Sequence, residues 1–180
     1  MTNLLIPAGM TEKEYFETVA SEADFLKWYK EQDLPTYETP SVTADMVAYC
    51  FVEGQLKLLA IRRKAHPYQH CLALVGGFVN KDDDATHACI REVKEEVGLD
   101  LPVNKVEQLM TVSTPGRDPR GWVITIAHLV YLPAEAVNMV QAGDDAKEVV
   151  FLDVDFKKSQ CLLEGKALVA SDFAFDHYQI

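Results

Sequence analysis

Residues 77–99 read GFVNKDDDATHACIREVKEEVGL. From Asp84 to Val97 this stretch has a helical period: Ala85, Cys89, Val93 and Val97 form an i, i+4 ladder with Ile90 beside it. Gly98 supplies the C-terminal cap. Glu92, Glu95 and Glu96 stand at i, i+3 and i+4, so their carboxylates share one face of that helix. Three neighbouring carboxylates repel one another, and a hard divalent cation relieves the repulsion. Magnesium takes carboxylates together with water and substrate phosphates, so it suits such a face. A bare ExxEE is more often a solvated acidic face. Here Gly76-Gly77 precedes the helix, allowing close backbone approach and leaving a carbonyl to join a metal site.

Upstream, Met46–Val52 and Gln55–Arg63 are apolar, β-branched runs joined across Glu53-Gly54, a hairpin signature. The second run ends in a basic cluster, Arg62, Arg63 and Lys64. Cys71–Val75 reads as a short strand stopped by Gly76-Gly77. Downstream, strand signals return at Val106–Ser113, Trp122–Leu132 and Glu148–Val154, and the tail from Ser159 is expected to be helical. Between two of these strands lies Thr114–Gly121, rich in turn residues and arginine. Near the start, Thr11 and Glu14 have capping-box spacing and open a helical stretch from Glu12 to about Gln32. Ser21 and Asp24 offer a second cap, so the stretch is one helix or two short ones. Pro35 and Pro40 bracket an extended linker, Leu34–Thr43. The expected organisation is a helical arm and linker over residues 1–40, then one α+β domain over 41–180 with a mixed sheet covered by helices.

Composition narrows the function classes. Hydrophobic residues make up 48% and charged residues 25%, an ordinary globular balance. A formal charge of −11 repels a phosphate backbone, so this chain by itself is not expected to bind nucleic acid, and a phosphate-bearing ligand needs a local metal or basic patch. No window approaches the length of a membrane span, and Met1–Met10 lacks a leader pattern. Cys50, Cys71, Cys89 and Cys161 have no zinc spacing and sit among apolar neighbours, the pattern of buried thiols in a reducing cytoplasm. His66, His70, His87, His128 and His177 have no metal-ligand spacing, and Trp122 and Tyr131 read as core or interface residues.

The central stretch resembles the Nudix box, Gly-x5-Glu-x7-Arg-Glu-apolar-x-Glu-Glu-x-Gly-apolar, with Gly77, Arg91, Glu92, Val93, Glu95, Glu96, Gly98 and Leu99 in register. Six fixed Gly, Arg and Glu positions match by chance on the order of once in ten million starts, which makes the resemblance specific. It departs in two places: Asp83 replaces the first Glu, and Val75 stands where Pro commonly precedes the glycines. Outside the box, over about residues 37–177, LAIRRKAHP (59–67), RDPRGW (117–122), GDDA (143–146) and FAFDH (173–177) resemble the ADP-ribose pyrophosphatase-like branch.

The resemblance implies an α/β/α sandwich with a mixed sheet and an N-terminal helical arm. It makes Glu92, Glu95 and Glu96 ligands of Mg2+ (or Mn2+), with the Gly77 carbonyl as a further one, and has Asp83 orient Arg91 among them. Arg62, Arg63, Arg117 and Arg120 become candidates to hold phosphates of a small nucleotide, although Asp118 and Arg120 can equally pair within a tight loop. Asp144, Asp145 and Glu148 are candidate general bases, or only a turn before a strand. The implied reaction is hydrolysis of a diphosphate bridge, in ADP-ribose or a similar compound. Two alternatives stay open: a catalytically weak nucleotide-sensing domain of a transcription regulator lacking its DNA-binding domain, and removal of damaged nucleoside triphosphates. The branch implies a homodimer, while a monomer with a packed arm would use the same apolar stripe.

Overall fold

A computed structural model describes residues 6–33, 37–143 and 146–180. They fall into two compact units, one ending at Glu38 and the other beginning at Thr39. In the first, the capping box at Thr11 and Glu14 starts α1 (Glu12–Thr18), and Ser21 caps α2 (Glu22–Glu31). Two caps ten residues apart therefore produce two short helices. Phe16 stacks on Trp28 with ring centroids 4.9 Å apart, but neither helix contains a buried residue.

The second unit is a mixed, nine-stranded sheet with the long helix α3 (Ala85–Val97) on one face. Its strands are β1 (Ser41–Val52), β2 (Gln55–Arg63), β3 (Leu72–Ala73), β4 (Val75–Phe78), β5 (Val106–Val112), β6 (Val123–Tyr131), β7 (Ala146–Asp155), β8 (Gln160–Leu163) and β9 (Lys166–Ala167). They run in the order β5-β6-β1-β2-β7-β8-β9, with β3 beside β2 and β4 beside β1. The β1–β6 pairing is parallel and the other ladders antiparallel. The expected ladder on α3 is the face that anchors it: Cys89, Val93 and Val97 are fully buried against Met46, Leu59 and Val75. A second apolar cluster, with Leu72, Leu152 and Phe173, lies between β2, β3, β7 and the chain's C-terminal segment.

Four expectations are corrected. The tail from Ser159 is not α-helical; it holds one short 3-10 turn, Ala170–Asp172. Gln160–Leu163 completes the sheet by pairing with the end of β7, and Glu164-Gly165, both with positive φ, turn the chain back into β9. A free sheet edge and a two-residue turn with φ > 0 at both positions outweighed the local helical spacing. The glycines do not stop a strand. Gly76 and Gly77 lie inside β4, opposite Asp45 and Ala44 of β1. Of the cysteines, only Cys50 and Cys89 are buried; Cys71 and Cys161 are partly exposed. Trp122 and Tyr131 are half-exposed, so they are not core residues.

Candidate functional site

The site is built where α3 lies against β1 and β4. Asp84 caps α3 by accepting from the His87 amide at 2.9 Å, and Gly98 closes it in the left-handed conformation. With its apolar ladder inward, α3 turns Arg91, Glu92 and Glu95 outward and tucks Glu96 to the sheet. Arg91 acts as a clamp. Its Nη1 donates to Glu92 at 2.6 Å and to Glu95 at 3.2 Å, and its Nη2 donates to the Phe78 carbonyl at 3.1 Å. The bond to Glu92 leads in raising the Arg91 pKa. Asp83 reaches Arg91 Nε at 3.5 Å, an ion pair too long for a good hydrogen bond. That Nε is buried and has no other partner among the described residues. The missing methylene of Asp83 is visible in that gap.

The glycines set the spacing of the carboxylates. The Gly76 amide donates to Glu96 at 3.2 Å. A Cβ on Gly76 would meet the Ala44 carbonyl oxygen at 2.3 Å, and one on Gly77 would meet the Glu92 carboxyl carbon at 2.4 Å. Gly77 thus forms a cradle that brings strand backbone up to a carboxylate. Gly143 repeats the device from the far side: its amide donates to the Glu96 carbonyl at 2.7 Å, and a Cβ there would meet the Glu95 carbonyl oxygen at 2.1 Å. Among the described residues no three carboxylate, imidazole or thiol groups converge as a ready-made metal cluster. The Arg91 guanidinium bridges Glu92 and Glu95 instead.

A cavity of about 390 Å³ opens beside this helix, lined by Glu92, Glu96, Gly76, Gly77 and Arg91 on one side. Arg63, Arg117, Asp118, Arg120, Phe175 and His177 line it as well. The RDPRG loop contributes two arginines with different fates. Arg117 is sealed, with a side chain 3% exposed and both ends of its fork on Asp176, at 2.9 and 2.6 Å. Arg120 is 41% exposed and pairs with Asp118 through Nε and Nη2. Burial works to raise the Asp118 carboxyl, yet the bonds from Arg120 win and hold it below the usual carboxylate range. The internal pairing is therefore present, but in a cavity wall rather than a plain surface loop. Arg62 is not brought to the cavity; it pairs with Glu148 at 2.9 Å and with the His70 carbonyl at 3.1 Å. That pairing also holds Glu148, one of the candidate bases, away from the site. The other two, Asp144 and Asp145, lie outside the described residues. Asp83 and Glu95 pair with Arg91 and do not line the cavity.

Several lining residues escaped the sequence reading. Asp45 is buried on β1, accepts a short hydrogen bond from Thr125, and has His177 Nε2 at 3.9 Å. His177 Nδ1 accepts from the Leu74 amide at 3.0 Å, which puts the proton of the neutral ring on Nε2, toward Asp45. Burial lowers the His177 pKa, against the pull of Asp45. A signal for Asp45 was present: it is the one charged residue in the run SVTADMVAYCFV. Phe78 and Phe175 offered none, being aromatic residues of ordinary appearance. Cys89, behind the carboxylates, is pushed well up by burial, then by Asp45 and Glu92, so it is an inert thiol.

The NUDIX domain family matches residues 40–158. The chain is 41% identical over 133 residues to the ADP-ribose pyrophosphatase of Methanocaldococcus jannaschii, covering 72% of this chain and 73% of that protein. It is 31% identical over 163 residues to the ADPR responsive transcriptional repressor NtrR of Acinetobacter baylyi, covering 89% of this chain but only 58% of the repressor. Among solved structures, a MutT/nudix family protein from Enterococcus faecalis superposes with a TM-score of 0.83 at 41% identity, over 93% of this chain and 69% of that one. The expected sandwich fold is the fold of that structure.

Proposed function

The chain belongs to the NUDIX domain family as a Nudix hydrolase, and from that premise we propose that it cleaves the diphosphate bridge of ADP-ribose or a similar nucleoside diphosphate derivative. The observation that carries this reading is the meeting, across one cavity, of the carboxylates of α3 with the guanidinium of Arg120. A ligand rich in phosphate charge, bound with a cation, is what such a pair of walls suits. The 41% identity to an ADP-ribose pyrophosphatase supports the choice of substrate.

Magnesium, or manganese in its place, fits the donor set. Carboxylates of Glu92, Glu95 and Glu96, with the Gly77 carbonyl, would hold it, and the Gly77 cradle leaves the close approach this requires. When bound, such a metal neutralises phosphate oxygens and acidifies water. The chain's own residues do the rest. Arg91, steadied by Asp83 and the Phe78 carbonyl, spaces the carboxylates. Arg120 and Arg63 hold phosphate oxygens, and Asp118 fixes the plane of Arg120. Arg117 positions the wall through Asp176 and does not touch the ligand. Glu148, paired with Arg62 and outside the cavity lining, is not favoured as the general base. The products are a nucleoside monophosphate and a phosphorylated remainder.

The test is phosphate-ester release from ADP-ribose, NADH and nucleoside triphosphates, with and without magnesium. Magnesium-dependent release of AMP from ADP-ribose is expected; silence on every diphosphate compound, or turnover of triphosphates only, overturns the assignment. The 31% identity to a repressor that responds to ADPR favours a second reading, a sensor domain. Tight ADP-ribose binding without turnover in the same panel selects it. We further propose a homodimer, supported by Phe51 and Tyr131 exposed on the sheet, with light scattering as the check. The four free thiols suit the reducing cytoplasm. No helix among the described residues is long and apolar enough to cross a membrane.

A further inference from the structure

Residues 173–177 form a turn-rich strap along the cavity wall, tied down on either side of one strained residue. Phe173 bridges to Leu72, and the Ala174 amide donates to the Leu72 carbonyl at 2.7 Å. Beyond the strained position, Asp176 takes the fork of Arg117 and His177 accepts from the Leu74 amide. Between these ties Phe175 has φ +55°, a left-handed conformation that a bulky side chain adopts only when its surroundings impose it.

The contacts of Phe175 indicate what the strain maintains. The Arg63 guanidinium stands over its ring at 5.3 Å and that of Arg120 at 5.4 Å, while Arg120 also stands over Phe78 at 5.0 Å. Phe78, Arg120, Phe175 and Arg63 thus alternate ring and cation along one wall, and Tyr68 meets Phe175 edge-on at 4.9 Å. Each guanidinium has a second restraint: Arg63 Nε donates to the Pro67 carbonyl at 2.8 Å, and Arg120 is forked onto Asp118. A ring quadrupole attracts both cations and so holds both guanidiniums to the same side chain. Two guanidiniums held at one ring in the cavity wall can each donate to one of two adjacent phosphates, whereas a monophosphate reaches one.

We propose that Phe175 is a positioning residue that holds Arg63 and Arg120 as a pair for two adjacent phosphate groups. The cavity then prefers an intact diphosphate to the monophosphates left after cleavage. The substrate class rests on the hydrolase reading above; the pairing of the arginines by the ring does not.

The test measures binding of ADP and of AMP by calorimetry, without added metal, to the wild type, Phe175→Leu and Phe175→Tyr. Wild type is expected to favour ADP. The leucine variant, which keeps bulk but has no aromatic face, should lose about tenfold in ADP affinity and much less for AMP, and tyrosine should restore the preference. An unchanged ADP-to-AMP ratio in the leucine variant overturns the proposal, as does an equal loss for both nucleotides, which marks plain packing. Should the leucine variant fail to fold, the tyrosine variant decides: a folded Phe175→Tyr protein without the ADP preference refutes the role of the ring. Binding is read without turnover. A chain that hydrolyses nothing but discriminates through Phe175 therefore sinks the hydrolase reading alone. Turnover of ADP-ribose with unchanged discrimination in the leucine variant sinks only the positioning role.

Discussion

Gly76 and Gly77 are neighbours, yet alanine at each should break a different thing. At Gly77 an added Cβ would stand 2.4 Å from the Glu92 carboxyl carbon and 2.5 and 2.6 Å from its oxygens, where ordinary contact begins at 3.4 Å. The carboxylate must retreat by roughly 1 Å, the difference between those distances. It can do so, because it ends a flexible side chain, but it gives up the bond from Arg91 at 2.6 Å. A hydrogen bond to a charged group contributes about 1.5–3 kcal/mol, and partial solvent contact brings this pair to about 1 kcal/mol. Turnover should suffer far more, since a misplacement of ~1 Å in a catalytic constellation can cost about 100-fold. At Gly76 the added Cβ would meet backbone instead, the Ala44 oxygen at 2.3 Å and Asp45 Cα at 2.8 Å. Neither can swing aside within the β1–β4 ladder, so Gly76→Ala should lose about 3 kcal/mol or more, at the upper end for overpacking. Urea unfolding of both variants, with kcat for ADP-ribose and magnesium, separates the two effects. Wild-type turnover in Gly77→Ala would refute the requirement for Glu92 where it stands, and wild-type stability in Gly76→Ala would refute the packing argument for the ladder.

Asp83→Glu adds the methylene missing from the 3.5 Å pair with Arg91, and kcat should rise a few-fold, in line with about 1 kcal/mol for a repaired hydrogen bond; no gain means Arg91 is already in place. Arg117→Ala strands the Asp176 carboxylate and should cost about 3–5 kcal/mol in chemical unfolding, the range for breaking a buried pair. Arg120→Ala takes the forked partner from the buried Asp118 carboxylate, so it should lower stability as well as raise KM roughly 10- to 100-fold, the equivalent of one charged hydrogen-bonding group; an unchanged KM would remove Arg120 from the ligand's contacts. His128 is buried beside Thr86, and burial depresses its pKa below 6.5. The unfolded chain therefore takes up this proton before the folded one does, so the stability it contributes is complete above pH 6.5 and is lost on acidification below it. The slope can reach about 1.4 kcal/mol per pH unit. Unfolding midpoints at pH 7.5 and 5.5 should show it, and His128→Gln should reduce the slope to the part that the buried His177 contributes; an equal slope in the variant would assign the acid sensitivity elsewhere.

The local signals in this chain were those whose physics is local. Helical spacing put Glu92, Glu95 and Glu96 on one face of α3 because periodicity is a property of the backbone, and caps at Thr11, Ser21, Asp84 and Gly98 act within one turn. The sequence also identified the box, and with it the candidate metal ligands and the oddity at Asp83. Partnership across the fold was beyond it. Arg62 and Arg63 are adjacent, but alternation along β2 sends one to Glu148 and the other into the cavity. Arg117 and Arg120 look alike in RDPRG, and only the approach of Asp176, 59 residues later, seals the first and leaves the second to the cavity. The same holds for the tail, which took strand form because β7 offered a free edge, and for Phe175, whose backbone is strained by ties to β3 and the RDPRG loop. Which residues carry charge and how a helix presents them were written in the order of the amino acids. Which of those charges remain available to a ligand was decided by long-range contacts, because a buried charge is committed to whatever partner the fold delivers.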